Sequence, residues 1–201
     1  MSTNTRDKRR KEIIEISSNL FYKKGIANTT ISEITITANI GKGTFYEYFK
    51  NKEEVIDEYI KVYFENMHLQ ISENIENYKT NKEKILFIVK SLFMSKSVDE
   101  KFTYIFIEFL RMTFNNNNKE ESRKLYEFNQ QNIDLINKYL LKGIKEKEFI
   151  PCNTLNIAFE IISSILGNIV LSLSFEFKEC DKSTKYNVKT ILNSIEYKNT
   201  F

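Results

Sequence analysis

Proline is almost missing from this sequence: Pro151 stands alone in 201 residues, beside only five glycines. A sheet-rich fold with many tight turns draws on more of both, so that class falls away. Cysteine is scarce as well. Cys152 and Cys180 share no short spacing with each other or with His68, the one histidine. A disulfide framework and a zinc site are thereby set aside, leaving free thiols in a reducing cytosol. His68 has no nearby cysteine, serine elbow or paired carboxylates, so no catalytic constellation is present and His68 is read as a surface or pocket-edge side chain. No enzyme activity, cofactor or metal is expected. The polar, charged N-terminus lacks the apolar stretch of a secretory signal. The most apolar run, Ile161–Phe175, is too short and too rich in Ser and Asn to span a bilayer. A cytoplasmic location is the expectation.

What is present is helical. Leu, Ile, Lys, Glu and Asn dominate, and long stretches repeat apolar residues at the helical period, which predicts an all-α fold of about nine helices. The first runs from about Arg6 to Lys24, with Gly25 placed for a left-handed stop. Thr30 with Glu33 forms a capping-box pattern opening a second helix at Ile31. That helix stops near Ala38–Asn39, since asparagine tolerates positive φ at a sharp turn. Gly41 then serves as N-cap of a third short helix, from Lys42 to about Phe49. Asn51/Glu54, Thr80/Glu83 and Ser97/Glu100 repeat the capping signal for three further helices, the first reaching about Tyr78. Asn115–Asn118 is a polar turn. A seventh helix breaks near Pro151, an eighth runs from about Thr154 to Phe177, and a ninth carries Val188, Ile191, Leu192 and Ile195 on one face.

Charge is unevenly placed. Residues 1–53 hold ten Lys/Arg against six Asp/Glu, net +4, whereas residues 54–201 hold twenty against twenty-one. A basic head on a nearly neutral body points to a polyanion at one end. Within that head Gly41 and Gly43 flank Lys42. A Walker-type phosphate loop would need glycine where Ile36 stands, and a strand where a helix is predicted. A helix-turn-helix fits better. Two short helices follow one that braces them, and the small residues begin the second of the pair, the end that approaches phosphates and base edges. Phe45 and Phe49, one turn apart, anchor it inward.

The stretch FYKKGIANTTISEITITANIGKGTFYEYFKNKEEVI resembles the N-terminal DNA-binding domain of the tetracycline-repressor (TetR) family of transcriptional regulators. The resemblance spans about residues 8–60 and rests on Phe-x-x-x-Gly-x-x-x-Thr-Thr, Lys-Gly-Thr-Phe-Tyr-x-Tyr-Phe and Asn-Lys-Glu at set distances. Asn39 replaces a usual glycine, Gly41 a common serine cap, and Thr35 a frequent alanine. The resemblance implies a helix-turn-helix DNA-binding domain at 1–53 and a ligand-binding and dimerisation domain at 54–201. It implies that Thr30 presents its helical turn to a phosphate and that Thr44, Tyr46, Tyr48 and Lys52 contact the DNA backbone. Lys42, Gly43 and Glu47 are then the leading base readers, with Ser32 a weaker one; lysine bonds guanine and glutamate accepts from cytosine. Glu47 is equally well read as a solvated group that deters unspecific phosphate binding. The run RDKRRK is either an arm along the DNA or a solvated helix start. Binding to double-stranded DNA should depend strongly on salt.

For the body the resemblance implies a homodimer and an enclosed small-molecule effector. Independently, a helix apolar on every side, as at Ile157–Phe175, must be covered on every side, by a partner subunit or inside the monomer. The dimer reading uses Ile161, Ile165, Ile169, Leu173, Val188, Ile191, Leu192 and Ile195 in a four-helix interface. Phe87, Phe106, Phe109, Leu110, Phe128 and Ile165 are candidates to line a lipophilic pocket, or else are plain core. Arg111 either orients a ligand or pairs with Glu108. The expected function is a repressor released from a pseudo-palindromic operator by a small lipophilic ligand. The alternative is a DNA-binding adaptor controlled by a protein partner.

Overall fold

The computed structural model describes residues 3–93, 100–115, 119–174 and 180–197. Among them are nine α-helices: α1 (Thr3–Lys24), α2 (Ile31–Thr37), α3 (Lys42–Tyr48), α4 (Lys52–Asn74), α5 (Asn81–Phe93), α6 (Glu100–Asn115), α7 (Lys119–Lys145), α8 (Thr154–Ser174) and α9 (Cys180–Ser194). A 3₁₀ turn, Ile75–Asn77, follows α4, so the predicted run to Tyr78 ends in a tightened last turn. The predicted Ser97 cap, the turn at Asn116–Asn118 and the end of α8 beyond residue 174 lie outside the described residues. The chain forms two compact units. One contains α1–α3, α4 as far as Asn66, and α6; the other contains the rest of α4 with α5 and α7–α9.

The first unit closes around Ile13, Phe21, Ile34, Phe45, Phe49, Val55 and Ile56, all fully or almost fully buried. Its turns follow local chemistry. Gly25 ends α1 at φ 85, a left-handed value glycine adopts at no steric cost. Asn39 takes φ 51 between α2 and α3. Asn51 Oδ1 accepts the Glu54 amide at 2.8 Å, and Glu54 Oε2 accepts the Lys50 amide at 2.7 Å, a reciprocal cap on α4. Helix α6 joins this unit through a ladder of aromatic rings. Phe102 stacks on Tyr63 at 3.5 Å and on Phe106 at 5.6 Å, and meets Phe64 edge-on at 5.6 Å. The α6 N-terminus is also tied to α1, where Lys101 Nζ donates to Glu15 at 2.8 Å and Tyr22 Oη donates to Glu100 at 2.7 Å.

The second unit packs α7 against α5 and α8, and α8 against α9. Ile85, Ile88 and Leu92 meet Ile136, Leu140, Phe149, Ile161, Ile165, Val188 and Leu192 in its core, all buried. Gly143 is required here, because a methyl group on it would run into the Phe149 ring. The Glu148 carboxylate caps α5, accepting the amides of Asn81 and Lys82, each at 2.8 Å. Helix α8 is longer than its most apolar run. By length and composition alone the longer window Thr154–Leu171, which begins before the run Ile161–Phe175, is long and apolar enough to cross a membrane. Its polar groups are used within the fold, as Asn168 donates to Thr184 Oγ1 at 3.0 Å in the α8–α9 contact.

Candidate nucleic-acid interface

The helix pair is built from its caps inward. Thr30 is the N-cap of α2: its Oγ1 accepts the Glu33 amide at 3.2 Å, and Glu33 Oε2 accepts the Thr30 amide at 2.9 Å. Lys24 Nζ reaches the other Glu33 oxygen at 2.5 Å. That hydrogen bond first, and the Thr30 amide second, hold the Glu33 carboxyl down at about 2. Thr35, where the family often has alanine, is 4% exposed and donates its hydroxyl to the Ser32 carbonyl at 3.0 Å, so its polar atom costs little. The Ile40 amide returns to the Thr35 carbonyl at 3.0 Å, closing the turn.

Helix α3 is held from below. Phe45 and Phe49 are 0% and 1% exposed, with ring centroids 5.8 Å apart. Above them Lys42, Gly43, Tyr46 and Glu47 are exposed, and Thr44 and Tyr48 half-exposed. A Cβ built on Gly43 meets nothing within 4 Å, so no packing inside the chain demands glycine there.

Three groups expected at DNA are already engaged. The Thr30 amide and hydroxyl are spent on Glu33, whose carboxylate would repel a phosphate brought to that turn. Lys52 Nζ donates to the carbonyls of Ile26 and Thr29 at 2.7 and 2.6 Å. The run RDKRRK is helical from Thr3 onward rather than an extended arm. Within it Arg10 Nη1 donates to the Tyr48 carbonyl at 2.9 Å, and its guanidinium lies 4.6 Å over Phe49. Ser32 is half-buried on α2.

Other expected sites are placed differently. Of the interface candidates, Ile161, Ile165, Val188, Leu192 and Ile195 are buried within the chain, and Ile169 and Ile191 half-buried. The five buried ones pack within the chain, where α8 meets α7 and α9, and α9 meets α5. The outward apolar face of α8 is Leu155, Phe159 and Val170, at 51%, 61% and 51% exposure, and Leu171 is exposed on another side of the helix. The Leu173 side chain lies outside the described residues. The six pocket candidates are divided: Phe106, Phe109 and Leu110 belong to the first unit, Phe87, Phe128 and Ile165 to the second. Phe106 and Phe109 are aromatic core of their unit. Phe87 stacks on Tyr78 at 4.5 Å. Arg111 pairs with Glu108 at 2.7 Å on the surface.

His68 Nε2 lies 3.0 Å from Asn132 Oδ1, and Asn132 is fully buried. Among the described residues no group of three or more His, Cys, Asp or Glu could hold a metal ion. Burial raises the Cys152 thiol, the opposite of activation.

A braced pair of short helices, the second turning an ammonium, hydroxyls and bare glycine backbone to solvent, defines the class: a helix-turn-helix DNA-binding protein. Residues 13–59 match the model of bacterial regulatory proteins of the tetR family. The chain belongs to the tetracycline-repressor family of transcriptional regulators, which are not enzymes. It is 22% identical to the fatty acid metabolism regulator protein of Bacillus subtilis over 184 residues, 92% of this chain and 90% of that one. A TetR-family regulator from Cytophaga hutchinsonii superposes with a TM-score of 0.77 at 24% identity, covering 96% and 97% of the two chains. The regulator FadR of Bacillus subtilis, solved with stearoyl-CoA, superposes with a TM-score of 0.70 at 20% identity over 90% and 95%.

Proposed function

We propose that this regulator is a cytoplasmic repressor that binds a pseudo-palindromic operator as a homodimer and is released by a lipophilic small molecule. The carrying observation is the outer face of α3. Lys42, Gly43, Tyr46 and Glu47 are exposed above buried Phe45 and Phe49, the arrangement a reading helix needs. In this reading Lys42, Gly43 and Glu47 face base edges, with Ser32 at their margin, and Thr44, Tyr46 and Tyr48 face the backbone. Residues 1–53 are the DNA-binding domain and residues 54–201 the effector and dimerisation domain.

Dimerisation is supported by the outward hydrocarbon of Leu155, Phe159 and Val170, which gains by being covered. Two α3 helices about 34–36 Å apart would then read successive major grooves. The effector domain favours a long-chain acyl group as first candidate, since FadR was solved with stearoyl-CoA. Ligand and DNA would oppose one another by shifting α4 between two positions, each lowering affinity for the other by the same factor. The packed aromatic core of α6 speaks for the second reading, a DNA-binding adaptor controlled by a protein.

The test is a duplex selected from a random pool by the full-length protein, titrated with and without stearoyl-CoA. Release of the duplex supports the repressor. Binding untouched by that ligand and by a lipophilic library favours the adaptor.

A further inference from the structure

Lys84 on α5 is a cation with little access to water: its side chain is 5% exposed. Its Nζ donates to Glu76 Oε2 at 2.5 Å and lies 5.6 Å from the centroid of the Tyr139 ring, itself buried on α7. A buried ammonium needs a counter-charge, and Glu76 supplies it. Glu76 does so from outside. It stands on the 3₁₀ turn Ile75–Asn77, and its side chain is 74% exposed.

Two more lysines attend the same carboxyl. Lys138 Nζ lies 5.5 Å from the Tyr139 centroid, the ring that Lys84 also faces. Lys142 is exposed one turn further along α7. The Lys84 hydrogen bond first, then the charges of Lys84, Lys142 and Lys138, hold the Glu76 carboxyl below its ordinary value. The other carboxylate here, Glu146, accepts from Asn81 Nδ2 at 2.7 Å and stands 3.8 Å from Lys142. Three ammonium groups therefore face two carboxylates. With Glu76 turned out to solvent the balance becomes three to one, around a buried cation that has lost this hydrogen bond.

We propose that Lys84, Lys138 and Lys142 form an anion site on the second unit, which Glu76 fills until a diphosphate group displaces it. A carboxylate gives this cluster one negative charge, whereas a diphosphate brings more charge and more acceptor oxygens. Displacement requires only that an exposed side chain rotate outward, while the buried lysine keeps its place beside Tyr139. The ligand is a small molecule carrying that group, either free or as the polar head of something larger. The inference assumes nothing about what α3 binds.

Isothermal titration calorimetry of the full-length protein at fixed ionic strength tests it, with sodium pyrophosphate and coenzyme A as probes. Glu76→Gln removes the charge of the resident group and should bind pyrophosphate at least about tenfold more tightly than wild type does. Pyrophosphate should also raise the melting temperature of E76Q, since it returns a counter-charge to the buried lysine. Adding Lys84→Met to E76Q should abolish both effects. If that double variant does not fold, E76Q carrying Lys138→Gln and Lys142→Gln, both at exposed positions, decides by the same loss. Coenzyme A bound through Lys84 more tightly than pyrophosphate supports the site with an organic diphosphate as ligand; pyrophosphate alone supports it with the free anion. No gain on Glu76→Gln, or binding that persists without these lysines, leaves the pair a matter of stability and overturns the inference.

Discussion

The two units of this chain turn opposite chemistry toward solvent. The first buries phenylalanine and exposes an ammonium, hydroxyls and glycine backbone along α3. The second buries Ile161, Ile165 and Val188 and exposes Leu155, Phe159 and Val170 along one face of α8. A surface of the first kind gains from a polar, negatively charged partner that brings its own hydrogen-bond acceptors. A surface of the second kind gains from losing water to another hydrocarbon surface. On the proposed reading the two faces therefore serve different partners.

Phenylalanine under α3 is where the first unit breaks most readily. Phe45→Ala should cost about 3–5 kcal/mol, the usual range for emptying a buried aromatic site, and urea denaturation would read it. In the second unit the corresponding weak point is glycine. Gly143→Ala drives a methyl group into the Phe149 ring and should cost about 1–3 kcal/mol by the same measurement. An unaltered midpoint would mean that the ring moves aside freely.

Surface changes should separate fold from partner. Phe159→Glu places charge on the outward face of α8 and should shift sedimentation from dimer to monomer while the helical signal stays intact. A dimer that persists would place the interface elsewhere. Gly43→Ala has open space around it and a helical backbone, so it should leave stability unchanged or raise it by up to about 1 kcal/mol. Affinity for duplex DNA should nevertheless fall, because the added methyl group stands on the face that approaches the bases. Falling stability with intact binding would exclude that face.

The smallest effect is in acid. Glu33 titrates at about 2 rather than at 4.5, held down by Lys24 and the Thr30 amide. A depressed carboxyl contributes stability that is fully present above the unfolded value. The contribution declines as pH falls from about 4.5 through about 2. Glu33→Gln should flatten the stability profile in that window and leave its slope near neutrality alone.

Legibility in the sequence followed the distance between interacting residues. The Thr30–Glu33 box, the Asn39 turn, the Gly25 stop and the Asn51–Glu54 cap all act over a few residues, and each is written in residue type. Lys52 is different. Its charge is visible in the sequence, but its partners are carbonyls more than twenty residues upstream, fixed only when the loop folds. Helix α8 shows a second limit. Where every face is apolar, periodicity does not say which one turns inward, and Ile161 and Ile165 proved to be the inner set. The attachment of α6 to α1 is likewise carried by Lys101 and Tyr22 across about eighty residues, with no local signature.

Titrating the full-length protein into duplex DNA over a series of salt concentrations tests most directly whether α3 faces a duplex. The account predicts a steep loss of affinity with salt, and a further loss when Lys42 and Tyr46 are both changed to alanine without loss of fold. Affinity that ignores salt, or a double variant that binds as the wild type does, would contradict it.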